Sequence, residues 1–215
     1  MEIAKSILLI VSALLPIVNP LGGSPVFLAL ASDYPRDLRF VLARKVAVNS
    51  FILMVASFLV GTHILRFFGI SIPVIQVGGG LIVVANGWAL LTRKDEPDRS
   101  GPSLRQINPT DIFRSAFYPL TMPLTVGPGA ISVAITLGAN EQRGVANLLL
   151  ILAAIVGAAV VAAAILLCYG FADRLAAVIG ESGMSITLRL SSFLLVCIGV
   201  QIIWNGLRAL IRALQ

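Results

Sequence analysis

Six long apolar segments follow one another along the chain, separated by shorter polar stretches. They cover residues 6–31, 46–68, 72–92, 114–138, 146–172 and 187–211. Each is long enough for a helix that crosses the hydrocarbon core of a membrane, which takes about 20 residues. None alternates polar and apolar positions as the strands of an outer-membrane barrel do. The pattern predicts an all-α polytopic membrane protein with six transmembrane helices, folded as a single transmembrane domain over residues 1–215.

The composition excludes a soluble protein. Hydrophobic residues make up 58% of the chain and charged residues 12%, whereas soluble domains carry about 25% charged residues. The net charge of +6 does not indicate a nucleic-acid partner, because the basic residues fall between the apolar segments and near their ends. At such positions Lys and Arg set the orientation of a membrane protein. The expected partner is therefore the lipid bilayer.

The basic residues are unequally divided between the two faces of the predicted bundle. One face holds eleven of them: Arg36, Arg39, Arg44, Lys45, Arg93, Lys94, Arg99, Arg105, Arg114, Arg174 and Arg189. The other face holds five: Lys5, Arg66, Arg143, Arg208 and Arg212. Because cytoplasmic connections carry the excess of Lys and Arg, the first face is predicted to be cytoplasmic and both termini periplasmic.

Prolines in the first and fourth segments repeat at a constant offset. The set Pro16, Pro20, Leu21 and Pro25 recurs 103 positions later as Pro119, Pro123, Leu124 and Pro128. In the third and sixth segments, Gly80, Asn86 and Gly87 recur 119 positions later as Gly199, Asn205 and Gly206. A unit of three spans enters the membrane from the opposite side in its second copy, because three is odd. The chain is therefore predicted to contain two inverted-topology repeats, at about 1–92 and 114–215, joined by a cytoplasmic loop at about 93–113.

The repeated prolines predict that helices 1 and 4 are broken near mid-membrane. Proline removes an amide donor and disfavours the helical conformation of the residue before it. We expect half-helices to end at Asn19–Pro20 and Met122–Pro123. They would restart at Ser24–Pro25 and Gly127–Pro128, because Ser or Gly suits the cap and proline the first helical position. Irregular backbone at this depth is tolerated only when it is buried in protein or lines a watery cavity.

The two breaks together predict a binding site for a small zwitterion. Helix N-termini present free amides and a positive dipole end, which suit a carboxylate, and the preceding carbonyl ends suit an ammonium group or a cation. The candidate substrate-binding residues are Asn19, Pro20, Gly22, Gly23, Ser24, Thr121, Thr125, Gly127 and Gly129. Asn86 and Asn205 are either further site residues or hydrogen-bonding links between helices. For Gly78, Gly79 and Gly80 close helix packing is the favoured interpretation.

Other chemistry is not indicated by the sequence. None of the ten acidic residues lies in the middle of an apolar segment, which disfavours a proton relay through the membrane. Cys168, Cys197 and the single histidine, His63, have no metal-binding spacing, and no pairing of a nucleophile with a base is visible. We expect no enzyme activity, no metal and no cofactor, and we leave a coupling cation open.

Several motifs resemble those of the MarC family of bacterial integral membrane proteins. Asn19-Pro20-Leu21-Gly22 resembles its NPLG or NPVG motif, and residues 122–131 resemble its P-L-x-x-G-P-G-A-I motif. Residues 68–72 with 79–83, and 199–201 with 205–206, are also similar. The resemblance implies a six-span protein of the bacterial inner membrane, in a family grouped with neutral amino acid transporters. Among the site residues it concerns Asn19 to Gly22 and Gly127 to Gly129.

The expected function is a secondary transporter of small neutral amino acids or similar small zwitterionic solutes. One alternative is a small-solute channel with opposed half-helices, since aquaporin-like channels share six spans and inverted repeats. Against the channel, the second copy has Met122 where the first has Asn19, and the broken segments are the first span of each repeat. The other alternative is a membrane protein without transport. A homo-oligomer is compatible with each of these functions.

Overall fold

The computed structural model describes residues 2–32, 34–92, 112–141 and 147–213, and these ranges are helical with no strand. The helices are α1 (Glu2–Val18), α2 (Pro20–Leu30), α3 (Arg36–Phe67), α4 (Ile72–Leu91), α5 (Ile112–Ser115), α6 (Pro128–Glu141), α7 (Asn147–Gly170) and α8 (Ala172–Arg212). Between α5 and α6 lies a stretch with π-type hydrogen bonds, Ala116–Thr125, called the π segment below. The loop predicted at 93–113 lies almost entirely outside the described residues.

Among the described residues, five stretches of helix are long and apolar enough to cross a membrane, and one bent pair makes a sixth candidate. The five are Ile3–Leu30, Arg36–Phe67, Ile72–Leu91, Leu148–Gly170 and Ser185–Arg212. The bent pair consists of the π segment and the part of α6 that ends at Ala139. Within the described part of the chain, the prediction of an all-α polytopic membrane protein is confirmed.

Large apolar side chains are exposed on the outside of the long helices. Leu8 of α1, Ile52 of α3, Leu81 of α4, Leu167 of α7 and Leu190 of α8 are each more than half exposed. Exposed apolar surface on this scale is a liability in water. In a bilayer the same surface contacts lipid, which agrees with the hydropathy of the spans.

The helix α3 begins well before the predicted boundary at residue 46. Arg36 is its first residue, and the acidic Asp37 lies in its first turn, where a negative charge suits the helix dipole. Leu42 and Val46 are already buried, at the spacing of one helix face. Helical periodicity therefore extends through the polar stretch that hydropathy alone assigned to a connection.

The stretch predicted to connect the fifth and sixth segments, 173–186, is also largely helical. It forms the first part of α8, which is kinked at Gly180 with φ of 72° and ψ of 168°. A positive φ of this kind favours glycine, which has no Cβ. An ion pair between Arg39 and Asp173, 3.2 Å apart, joins this first part of α8 to α3.

The helices α4 and α8 pack closely in antiparallel directions. A Cβ atom added to Gly80 would lie 2.8 Å from the carbonyl oxygen of Gly199, and one added to Gly199 would lie 2.9 Å from that of Gly80. Gly87 lies against Ser192, whose carbonyl oxygen would be 2.9 Å from an added Cβ. Residue numbers that increase along α4 therefore pair with residue numbers that decrease along α8. Small residues permit this close backbone approach, as is usual between membrane helices.

Candidate functional site

The first interruption of the helical chain is at Asn19, between α1 and α2. Its backbone has φ of 46° and ψ of 60°, and its side-chain oxygen accepts a hydrogen bond from Gly22 N at 3.1 Å. Asparagine is one of the few residues that adopt this left-handed conformation readily. Asn19 is thus the N-cap of α2, and Pro20 occupies the first helical position, which suits its fixed φ.

The helix restart expected at Ser24–Pro25 is wrong, because α2 already begins at Pro20. Pro25 lies inside the helix and cannot donate a hydrogen bond to the carbonyl of Leu21, four residues earlier. The buried hydroxyl of Ser24 donates to Leu21 O instead, at 2.8 Å. Ser24 therefore supports a proline within the helix and does not cap it.

The second interruption is built from two consecutive copies of an X-Pro-Leu-Thr sequence, residues 118–121 and 122–125. Tyr118 and Met122, which precede the two prolines, have extended backbone, and both peptide bonds to proline are cis. The hydroxyl of Thr121 donates to Ala116 O at 2.6 Å. The hydroxyl of Thr125 donates to the carbonyl of Leu120 at 2.7 Å. Both threonine hydroxyls thus donate to carbonyls five residues earlier in the segment, a local side-chain to backbone contact that accompanies the disrupted helix.

A bend of 70° separates the π segment from α6. Helix α6 begins at Pro128, and the carbonyl of Gly127 accepts a hydrogen bond from Ile131 N at 3.1 Å. The amides of Gly129 and Ala130 have no backbone acceptor among the described residues. The first turn of α6 therefore keeps the free amides expected of a helix N-terminus.

A cavity of about 350 Å³ lies between the two interruptions; we call it the Asn86 cavity. Its polar lining side chains are Asn19, Asn86 and Thr125, and Gly22, Gly23, Gly127 and Gly129 also line it. The other lining residues are apolar or proline, among them Val83 and Leu195. No lining residue is charged in the part of the chain that the structure describes.

This cavity brings together residues from both predicted breaks and from α4, but four candidates lie elsewhere. Pro20, Ser24 and Thr121 are buried in packing and do not line it. Asn205 lines a second cavity, and its side-chain oxygen accepts a hydrogen bond from Gln201 Nε2 at 3.0 Å. Asn86 and Asn205, the pair linked by the repeat, therefore do not share a cavity.

Sequence reasoning missed Tyr169 of α7, whose hydroxyl lies near both interruptions. That hydroxyl is 3.0 Å from the hydroxyl of Thr125, and a Cβ added to Gly23 would lie 2.5 Å from it. The Tyr169 ring stacks on Phe27, with ring centroids 4.6 Å apart. The available signal was that Tyr169 is the only residue with a hydroxyl group in the apolar segment 146–172.

The site offers neutral hydrogen-bonding groups and backbone dipoles. Among the described residues, no group of three or more His, Cys, Asp or Glu could hold a metal ion. Cys168 and Cys197 are free thiols. Binding in the cavity would therefore depend on amides, carbonyls, hydroxyls and apolar contact.

Comparison with known proteins gives matches over nearly the whole chain. Residues 4–211 match the sequence model of a family described as MarC family integral membrane protein. The inner membrane protein MarC of Salmonella typhimurium is 30% identical over 217 aligned positions, which cover 99% of this chain and 98% of that protein. A membrane protein of Methanocaldococcus jannaschii is 29% identical over 197 positions, covering 92% of this chain and 93% of that protein. No solved structure matches.

These matches agree with the helical spans and with the motifs quoted from the sequence. The expected resemblance is confirmed over the length of the chain. Together with the apolar helices, the relatives support a multi-pass inner-membrane protein. The chain belongs to the MarC family of integral membrane proteins.

Proposed function

We propose that the protein is a secondary transporter of small neutral amino acids or similar zwitterionic solutes, which bind in the Asn86 cavity. One observation carries the proposal: residues flanking two separate helix interruptions line a single cavity, and none of its lining residues in the described ranges is charged. Its volume of about 350 Å³ falls within the range of small-molecule sites, roughly 300–1,000 Å³. The absence of a charge among these lining residues favours a solute without net charge.

The groups around the cavity match the two ends of a zwitterion. The free amides of Gly129 and Ala130 and the dipole of α6 favour a carboxylate. The side-chain oxygens of Asn19 and Asn86 can accept hydrogen bonds from an ammonium group. Apolar lining residues leave room for a small aliphatic side chain.

Reciprocal packing supports the inverted repeat that such a transporter would use. Gly87 lies against Ser192 and Val196, and Gly206 lies against Pro73 and Val77. Each residue of one contact is 119 positions from its counterpart in the other, the offset found in the sequence. The antiparallel packing of these two helices is the arrangement that an inverted second copy requires.

The packing of the other helices has the same symmetry. The contact of α4 with α6 corresponds to the contact of α8 with α2 in the other repeat. In the same way, the contact of α1 with α7 corresponds to that of the π segment with α3. We infer that residues 1–92 and 114–215 are the two repeats. Inverted repeats give transporters two related conformations that open to opposite sides.

Uptake into proteoliposomes tests the proposal. Purified protein should take up radiolabelled glycine or alanine with saturation and counterflow, with and without an ion gradient to reveal a coupling cation. Flux that rises linearly without saturation would instead support the channel. No flux of any small neutral amino acid would contradict the proposed amino acid transporter.

A substitution pair tests the cavity itself. Asn86→Leu keeps the side-chain size and removes its hydrogen bonds. The substrate concentration that gives half-maximal uptake should therefore rise about tenfold, as expected for one lost hydrogen bond. Ala85→Leu is the matched control, because Ala85 is exposed and does not line the cavity. Equal uptake by the two variants would contradict the site. Gly129→Leu is less informative, since an added Cβ there would overlap Val83.

The proposed orientation has both termini in the periplasm. It rests on the excess of Arg and Lys on one face, including Arg36 and Lys45 near the start of α3. A phosphatase fused after Gln215 should be active, and a green fluorescent protein fused there through the general secretion route should not fluoresce. The reverse result would place the termini in the cytoplasm.

A further inference from the structure

The second cavity, of about 310 Å³, lies beside α1, α4, α6 and α8; we call it the Asn205 cavity. Its lining includes the side chains of Gln76, Thr136, Gln201 and Asn205, and no lining residue is charged among the residues that the structure describes. Gln76 Nε2 lies 3.5 Å from Thr136 Oγ1, and Gln201 donates to Asn205 at 3.0 Å. The cavity therefore presents neutral amide and hydroxyl groups, the same chemistry as the Asn86 cavity.

The two cavities lie toward opposite ends of the same helices. Along α4, Gln76 near the start lines the Asn205 cavity, whereas Ala89 and Leu90 near the end line the Asn86 cavity. Along the first span, Ser12 lines the Asn205 cavity and Leu30 lines the Asn86 cavity. One cavity thus extends toward each face of the bundle.

The linings are also related by the sequence repeat. Counterparts at offsets of 103 and 119 line different cavities: Pro119, Val83 and Asn86 line one, and Pro16, Ile202 and Asn205 line the other. Among the residues that the structure describes, Ile17, two positions before Asn19, lines both cavities. The side chain of Ile17 therefore lies at the boundary between two equivalent half-sites.

We propose that the Asn205 cavity is a second solute site, and that the two cavities are the halves of one pathway separated by Ile17. The proposal rests on the proposed transport function and names the path of the same solute. The solute class is a small neutral or zwitterionic molecule with hydrogen-bonding groups, because both linings offer amides and hydroxyls without charge. Passage requires displacement of Ile17 from the boundary.

Cysteine labelling tests the pathway without measuring transport. Single cysteines are introduced as Gln201→Cys and Asn86→Cys in full-length protein that also carries Cys168→Ala and Cys197→Ala. A charged, membrane-impermeant maleimide is applied to intact cells and to inside-out vesicles. Each cysteine should react from one side, and the two should react from opposite sides. With the predicted orientation, Gln201→Cys reacts in cells and Asn86→Cys in inside-out vesicles.

Neighbouring positions give matched controls at the same depth. Val200 and Ala85 are exposed and line neither cavity, so Val200→Cys and Ala85→Cys would face lipid. They should react about a hundredfold more slowly, since a charged reagent is strongly disfavoured in hydrocarbon. Where a variant fails to reach the membrane, Ser12→Cys replaces Gln201→Cys and Ala89→Cys replaces Asn86→Cys.

Changes at Ile17 test the boundary. Ile17→Ala should let Gln201→Cys react from both sides, with labelling from the previously closed side rising about tenfold, which corresponds to 1.4 kcal/mol. Ile17→Trp should block uptake while each cysteine still reacts from its own side. Unchanged sidedness in Ile17→Ala would contradict the role of this residue.

The outcomes separate this inference from the proposed function. Labelling of both cavities from the same side, or labelling of Gln201→Cys no faster than Val200→Cys, overturns the pathway whatever the uptake. Opposite-side labelling together with no amino acid uptake overturns the proposed solute and retains the pathway.

Discussion

The hydroxyl of Thr125 lies 3.0 Å from the hydroxyl of Tyr169, in a hydrogen bond between the π segment and α7. Thr125 already donates its single proton to the carbonyl of Leu120, so Tyr169 is the donor in this pair. The Tyr169 ring also stacks on Phe27 of α2. One tyrosine thus connects the helix that follows the first interruption with the segment that forms the second.

Tyr169→Phe should be less destabilising than Thr125→Val. The first change keeps the stacking on Phe27 and removes one interhelical hydrogen bond, worth about 0.6 kcal/mol in membrane proteins. The second removes both hydrogen bonds of the Thr125 hydroxyl, to Tyr169 and to Leu120 O, and each buried hydrogen bond is worth about 0.5–1.5 kcal/mol. Thermal unfolding in detergent, followed by size-exclusion chromatography of the heated samples, gives the order. A larger loss for Tyr169→Phe would contradict the assigned donor pattern.

Gly23→Ala should destabilise the protein, and Tyr169→Phe should partly rescue it. The added Cβ would lie 2.5 Å from the Tyr169 hydroxyl, whereas the nearest ring carbon is 3.3 Å away. Removing the hydroxyl therefore removes the worst overlap. The measurement is the yield of folded protein after heating for the two single variants and the double variant. Additive losses would show that the overlap is not the cause.

The spans could be predicted from the sequence because a bilayer requires long runs of apolar residues. Their boundaries could not be predicted, since α3 begins with exposed polar residues such as Arg36 and Asp37, which hydropathy assigns to a connection. The interruption at Asn19 was located by the proline after it. The restart at Pro20 was not predicted, because it depends on the left-handed backbone of Asn19 and on its bond to Gly22.

The candidate site was predicted only in part from the sequence. The residues that were misplaced or missed depend on the relation between the repeats or on contacts between residues distant in sequence. Asn19, Thr125 and four glycines near the prolines line one cavity, because prolines disrupt the helix at positions that can be found in the sequence. Ser24 and Thr121 are buried in packing instead. Asn205 lies in the other cavity, as antiparallel α4 and α8 carry repeat counterparts toward opposite ends. Tyr169 was missed because its partner Thr125 is distant in sequence, and no local pattern records such a contact.

Gly80→Ala and Gly199→Ala should each destabilise the protein by about 1–3 kcal/mol, the usual cost of overpacking. Each added Cβ would meet the backbone carbonyl of the other glycine, and backbone cannot move aside as a flexible side chain can. Gly78→Ala is the matched control, because nothing lies within 4 Å of a Cβ at that position. Its thermal stability should be unchanged or higher. Equal effects at Gly78 and Gly80 would contradict the close approach of α4 and α8.

Ser24→Ala should destabilise the protein, and Pro25→Ala in the same chain should restore part of the loss. Ser24 is fully buried, and its hydroxyl is the donor to the carbonyl of Leu21. Without that donor the carbonyl of Leu21 loses its hydroxyl partner, at a cost of about 0.5–1.5 kcal/mol. Alanine at position 25 supplies a backbone amide at the helical spacing from Leu21, which proline cannot do. Thermal unfolding of Ser24→Ala, Pro25→Ala and the double variant measures whether the amide compensates for the lost hydroxyl. A double variant no more stable than Ser24→Ala would show that the hydroxyl does not replace the missing amide.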